Sequence, residues 1–119
     1  MYLEAEIDLA HLLGWGHICE DRIGVLYGAK PPSCENRPIP KWARDNDEAF
    51  KLMVEHELSL NVYGGGVSGT AKYGGGGSLD GSPFCNHETK EAAYRLAIVK
   101  TVIRKLRDIK ANENPHSPT

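Results

Sequence analysis

The segment Asn86–Lys110, NHETKEAAYRLAIVKTVIRKLRDIK, constrains this chain more than any other. Its apolar residues Ala92, Ala93, Leu96, Val99, Val102, Ile103, Leu106 and Ile109 recur at the three-and-four spacing of one helix face, which predicts a long C-terminal helix. An apolar face of that length must be covered. Upstream, Leu58, Leu60 and Val62 alternate with Ser59, Asn61 and Tyr63, the period of a strand with one buried side. Gly64-Gly65-Gly66 turns the chain and Val67–Tyr73 returns, so the pair reads as an antiparallel hairpin. The expected fold is α+β: a small antiparallel sheet of two to four strands packed by helices.

The remaining elements are shorter. Glu4–Leu13 reads as an amphipathic helix with Ile7, Ala10 and Leu13 along one side, acidic residues in its first turns, and Gly14 placed to end it. RIGVLY, residues 22–27, is a weak strand candidate: Gly24 lowers its propensity and the polar run Cys19–Arg22 precedes it. Gly28–Pro40 holds four prolines and reads as an irregular surface connection. Lys41–His56 is the second helix, with Asp45 and Glu48 in a capping-box arrangement and Trp42 folding onto its first turn. Phe50 and Val54 widen its apolar stripe. After the glycine run 74–77, Ser82–Cys85 is a candidate edge strand. Residues 1–110 are expected to form one domain, and 111–119, with little apolar content, are expected to be disordered.

Composition narrows the function classes. At 119 residues the chain suffices for one core, and a net charge of −2 lacks the basic excess of a general nucleic-acid binder. Three irregularly spaced cysteines fit a reducing compartment better than a disulfide framework. The acidic start, with no basic n-region, and the lack of a long apolar run predict a cytoplasmic protein without membrane contact.

Candidate chemistry is sparse. Gly64, Gly66 and Gly69 match G-x-G-x-x-G, but no helix opens after them to hold a pyrophosphate, and no Gly-Lys-Ser/Thr follows. Nine of the eighteen residues from Gly64 to Gly81 are glycine, and bare backbone N–H groups can wrap an anion or nucleotide. On that ground Gly65, Gly66, Ser68, Thr70, Lys72, Tyr73, Gly75, Gly76 and Ser78 are candidate ligand- or partner-binding residues. His17-x-Cys19 and Cys85-x-His87 are too closely spaced for the common zinc knuckles, so neither a metal nor another cofactor is expected. Cys85, Asn86, His87 and Glu88 have the residue types of a nucleophilic site, yet neighbours in sequence rarely face one another. No catalytic residue is assigned. Arg95, Arg104 and Arg107 mark a basic surface on the last helix that would suit an acidic partner, nucleic acid being the less favoured one.

The Gly14-Trp15 helix end, the proline-rich connector, the run IPKWARDNDEAFKLMVEH, the glycine-interrupted strand pair and the closing HETKEAAYRLAIVKTVIRKL together resemble the phage ABA sandwich domain, a family of small bacteriophage and prophage proteins. The resemblance spans roughly Leu9 to Leu106 and brings no catalytic set. It implies the fold and a phage or prophage context; with no catalytic residue assigned, the expectation is a phage accessory protein, not an enzyme, that acts inside the host cell by binding a host protein or other partner. The alternative is a protein that sequesters a nucleotide or small anion in the glycine-rich loops. Homo-oligomers fit either reading.

Overall fold

The computed structural model describes residues 2–73 and 76–113, with Lys72, Tyr73, 76–79, 112 and 113 described by backbone alone. The order is α1 (Tyr2–Leu12), β1 (Gly16–Glu20), β2 (Leu26–Ala29), β3 (Arg37–Pro38), α2 (Asn46–Glu55), β4 (Ser59–Tyr63), β5 (Gly66–Tyr73), β6 (Gly76–Pro83), a 3-10 turn (Phe84–Asn86) and α3 (Lys90–Glu113). The fold is α+β, with two three-stranded antiparallel sheets, β1-β2-β3 and β4-β5-β6.

The long helix is the hub, and it is buried more widely than a single stripe predicts. Ala93 and Ala97 pack on Val67 of β5, whereas Ile98, Val99, Val102 and Ile103 join Leu9, Trp15, Leu26, Ile39, Trp42 and Leu52 in the main core. The two sides differ in residue size for a reason. Towards the second sheet α3 carries Ala93, Ala97 and Thr101, and β5 answers with Gly69, so the backbones approach closely. A Cβ on Gly69 would lie 2.5 Å from Thr101 Oγ1.

Several local expectations are corrected. α3 begins at Lys90, not Asn86: His87 is extended, and the Ala92 N–H donates to Thr89 Oγ1 at 3.1 Å, which makes Thr89 the cap. At its other end α3 continues through residues 111–113, into the segment expected to be disordered; residues 114–119 lie outside the described residues. The second glycine run does not end in a loop before a strand at Ser82–Cys85; β6 already starts at Gly76 and stops at Pro83. β1 and β3 were not expected. β1 is mostly exposed and so shows no apolar alternation; it takes in Cys19 and Glu20 of the polar run, and the residues after it form a hairpin turn, in which the Ile23 and Val25 N–H groups both donate to Asp21 Oδ1 at 2.9 Å.

α2 begins at Asn46, after a turn at residues 41–45, with Asp45 Oδ1 accepting from the Asp47 N–H. The reciprocal half of the capping box is replaced, because the Asp45 N–H donates to the Lys41 carbonyl. Both α1 and α2 end in Schellman motifs. After α1, Trp15 N–H donates to Ala10 O and Gly14 N–H to His11 O, with Gly14 at φ 94°. After α2, Leu58 N–H donates to Met53 O and Glu57 N–H to Val54 O, but here the left-handed residue is Glu57, at φ 54°.

The core-facing side of α1 is shifted from the Ile7–Ala10–Leu13 expectation: Ala10 is fully buried, but Ile7 and Leu13 are only partly buried at the margin of the core. That side carries Glu6, Leu9 and Ala10, and Glu6 is fully buried. Its carboxylate accepts from Arg44 Nη2 at 2.8 Å, Arg44 Nε at 3.2 Å and the Ala43 N–H at 3.0 Å. Arg44 Nη1 also donates to the Gly24 carbonyl at 3.3 Å, so one guanidinium ties α1, the β1–β2 turn and the approach to α2 together.

Candidate functional site

The strand register decides what the glycine-rich segment presents. Cross-strand partners share a face, so Leu60, Gly69 and Asp80 lie with Val62, Val67 and Ser82 on the α3 side, and Asn61, Ser68 and Gly81 lie on the opposite side with Thr70. Gly66, Gly69, Gly76, Gly77 and Gly81 belong to strands: Gly66 and Gly69 lie on β5, which is paired on both sides, and the other three on the edge strand β6, paired on one. Ser68 and Thr70 sit half-buried on the outer face of the sheet. Gly65 is in the β4–β5 turn, and its carbonyl accepts from the Phe84 N–H at 2.9 Å. Gly75 lies outside the described residues, and Lys72, Tyr73, Gly76 and Ser78 are placed by backbone alone. The candidate ligand residues are thus spread along a ladder.

The three arginines of the expected basic surface on α3 are engaged within the protein. Arg95 Nη1 donates to Asn46 Oδ1 at 2.7 Å and its Nε to the Ala43 carbonyl at 3.2 Å. Arg104 and Lys100 pair with Asp80 at 3.5 and 3.4 Å, and Arg107 pairs with Asp8 at 3.4 Å. A cleft of about 420 Å³ runs between them, lined by three cations and the carboxylates of Asp8, Asp80 and Asp108. Its charges balance.

His87 lies elsewhere than sequence proximity to Cys85 suggests. One ring nitrogen, Nε2, is 2.6 Å from Ser82 Oγ, and the other, Nδ1, is 2.6 Å from Tyr2 Oη. Cys85 Sγ instead donates to Asn86 Oδ1 at 3.6 Å. Burial, with Lys100 and Arg95 nearby, holds the His87 pKa below its ordinary value, so the ring is neutral near pH 7. Ser82 is 1% exposed, and the relay bridges β6, the approach to α3 and the start of α1. Cys19, Cys34 and Cys85 are free and exposed, and among the described residues no group of three His, Cys, Asp or Glu side chains is arranged to hold a metal ion. No helix among them is long and apolar enough to cross a membrane.

The most distinctive surface is apolar. Between α2, α3 and β4 runs a groove of about 380 Å³ with Ala49, Phe50, Met53, Leu60, Tyr94 and Ile98 as its apolar lining and Asn46, Lys90, Glu91 and Arg95 beside them. Its geometry follows from the sheet's reach: α3 packs on β5 and β6, and β4 extends beyond it. Leu60 therefore remains half-buried and Val62 is 54% exposed, against the expectation of a covered Leu58–Leu60–Val62 side. Phe50 is 58% exposed at one wall. At the end of the groove Tyr94 stacks on Phe84, with centroids 6.2 Å apart and planes 7° from parallel, and Lys90 Nζ sits 5.4 Å from the Phe84 ring centre. Sequence reading placed Phe50 and Val54 in the core stripe of α2. The missed signal was their excess: Ala49, Leu52 and Met53 already suffice for the buried side of a ten-residue helix.

No protein-family description, curated protein or solved structure matches this chain.

Proposed function

We propose that this chain is a binding protein, of the phage accessory kind its sequence resembles, and that its working surface is the groove between α2, α3 and β4. The observation that carries the reading is Phe50, a large aromatic side chain left 58% exposed beside Met53, Leu60, Tyr94 and Ile98. A contiguous apolar concavity with a polar border is the form of a protein-recognition site. Its occupant is a segment of a host protein that inserts a large apolar side chain, with Lys90, Glu91 and Asn46 at the border to fix orientation. Catalysis plays no part in this reading.

Affinity capture from bacterial host lysate with the wild-type chain and with Phe50→Asp tests it, followed by titration of the purified captured protein. Because Phe50 is exposed, the variant keeps its melting temperature, and binding falls by at least about tenfold. Equal binding by both chains overturns the groove reading. A rise in melting temperature with nucleotides, and no captured protein, would favour nucleotide sequestration instead.

A further inference from the structure

An exposed sheet edge offers unpaired N–H and C=O groups to any extended chain, and proteins that stay monomeric guard their edges with charge, proline, bulges or very short strands. Among the described residues, three of the four edge strands are guarded. β1 has an irregular register between Gly16 and Cys19, a left-handed His17 at φ 54°, and Glu20 at its end. β3 is two residues long, an arginine and a proline. β6 ends on Pro83, and Lys100 Nζ donates to its Gly81 carbonyl at 2.9 Å.

β4 has none of these devices. Its five residues, Ser-Leu-Asn-Val-Tyr, pair with β5 in unbroken register and include no charge and no proline. Among the described residues, no backbone hydrogen bond outside the ladder reaches residues 59–63. Val62 and Tyr63, 54% and 48% exposed, stand on this strand.

We infer that β4 is a self-association edge, and that it pairs antiparallel with β4 of a second copy to make a continuous six-stranded sheet. The strand is complementary to itself. A two-fold axis at Asn61 sets Leu60 opposite Val62 of the second copy on the α3 side, twice over, and Asn61 opposite Asn61 on the outer face, where the amides can bond each other. Ser59 meets Tyr63 at each end. Two aliphatic pairs, one amide pair and no like-charge opposition are what an isologous strand interface needs. A five-residue ladder is a small interface, so dimerisation is concentration-dependent. The inference uses the strand's edge and does not rest on the groove reading.

Sedimentation velocity of the full chain over a wide concentration range tests it. The expected result is a monomer–dimer equilibrium that Val62→Lys weakens by at least about tenfold, without a fall in melting temperature because Val62 is exposed. Ile23→Lys, at an apolar side chain 83% exposed on the β1–β2 turn, leaves the equilibrium unchanged. Phe50→Asp also leaves it unchanged, which separates failure of this inference from failure of the groove reading. A chain that stays monomeric up to about 1 mM, or a dimer that Val62→Lys leaves intact, overturns the inference.

Discussion

Replacing Gly69 by alanine isolates one contact on which the helix–sheet packing depends. The added Cβ would lie 2.5 Å from Thr101 Oγ1, 3.3 Å from Thr101 Cβ and 3.4 Å from the Ala97 carbonyl. Cβ atoms essentially never approach another heavy atom within 3.0 Å, so at the first contact something must shift. Thr101 cannot swing away freely, because it is fully buried and its hydroxyl donates to Ala97 O at 2.7 Å. Overpacking of this kind costs about 1–3 kcal/mol. Gly69 has no positive φ, so alanine adds no backbone strain, and the lower entropy of the unfolded chain returns about 0.4–1 kcal/mol. The net expectation is a loss of about 0.5–2 kcal/mol, read as a lower urea midpoint at unchanged m-value. Thr101→Ala removes the offending oxygen, so the double variant should be more stable than the sum of the single effects by about 0.5–2 kcal/mol. Thr101→Val keeps a heavy atom there and rescues little. A Gly69→Ala protein as stable as the parent, or effects that simply add, would refute the reasoning.

Other outcomes follow from named contacts. Glu6→Ala leaves the Arg44 guanidinium and the Ala43 N–H without their buried acceptor and should destabilise by about 3–5 kcal/mol in denaturant titration; a loss below about 1 kcal/mol would show that solvent replaces the carboxylate. Glu57→Gly puts the preferred residue at a left-handed position with φ 54°, and should raise stability by about 1 kcal/mol; an unchanged melting temperature would count against strain there. For His56, burial first and Lys105 second lower the pKa, with Glu55 opposing. Lys105 Nζ donates to its Nδ1 at 3.2 Å, and its buried Nε2 has no hydrogen-bond partner among the described residues. Since the folded pKa lies below the unfolded one, the unfolded chain binds more protons between them. Stability contributed by the neutral ring is therefore complete above the unfolded value and is lost as pH falls through the folded one. His87 acts in the same direction. Urea midpoints should drop as pH falls below the ordinary imidazole value of about 6.5, and His56→Gln should flatten that drop; a steeper dependence in the variant would reverse the assignment.

What could be read from the chain was local. The α+β class, the long last helix, the β4–β5 hairpin about Gly64-Gly65, the Asp45 cap and the Gly14 terminus each rest on spacing or on a residue with one conformational use. β1 was illegible because an exposed strand has no apolar period, and Glu57 because a Schellman end without glycine leaves no mark in the sequence. Long-range pairing carries no periodic signal either. The bond from Arg44 to Glu6 spans 38 residues and puts a carboxylate in the core. The same limit holds for the candidate surface. Leu60 and Phe50 read as ordinary core residues until the reach of α3 over β5 and β6 leaves β4 uncovered. The amino-acid order by itself settled the three helices, the β4–β5 hairpin and that the last helix needed cover on its apolar face, since these follow from contacts within a few residues. Only the tertiary structure decided that α3 is buried on two sides, that Gly69 admits it closely to a sheet, and that an apolar groove and a bare strand edge remain, because burial depends on what the rest of the chain brings alongside.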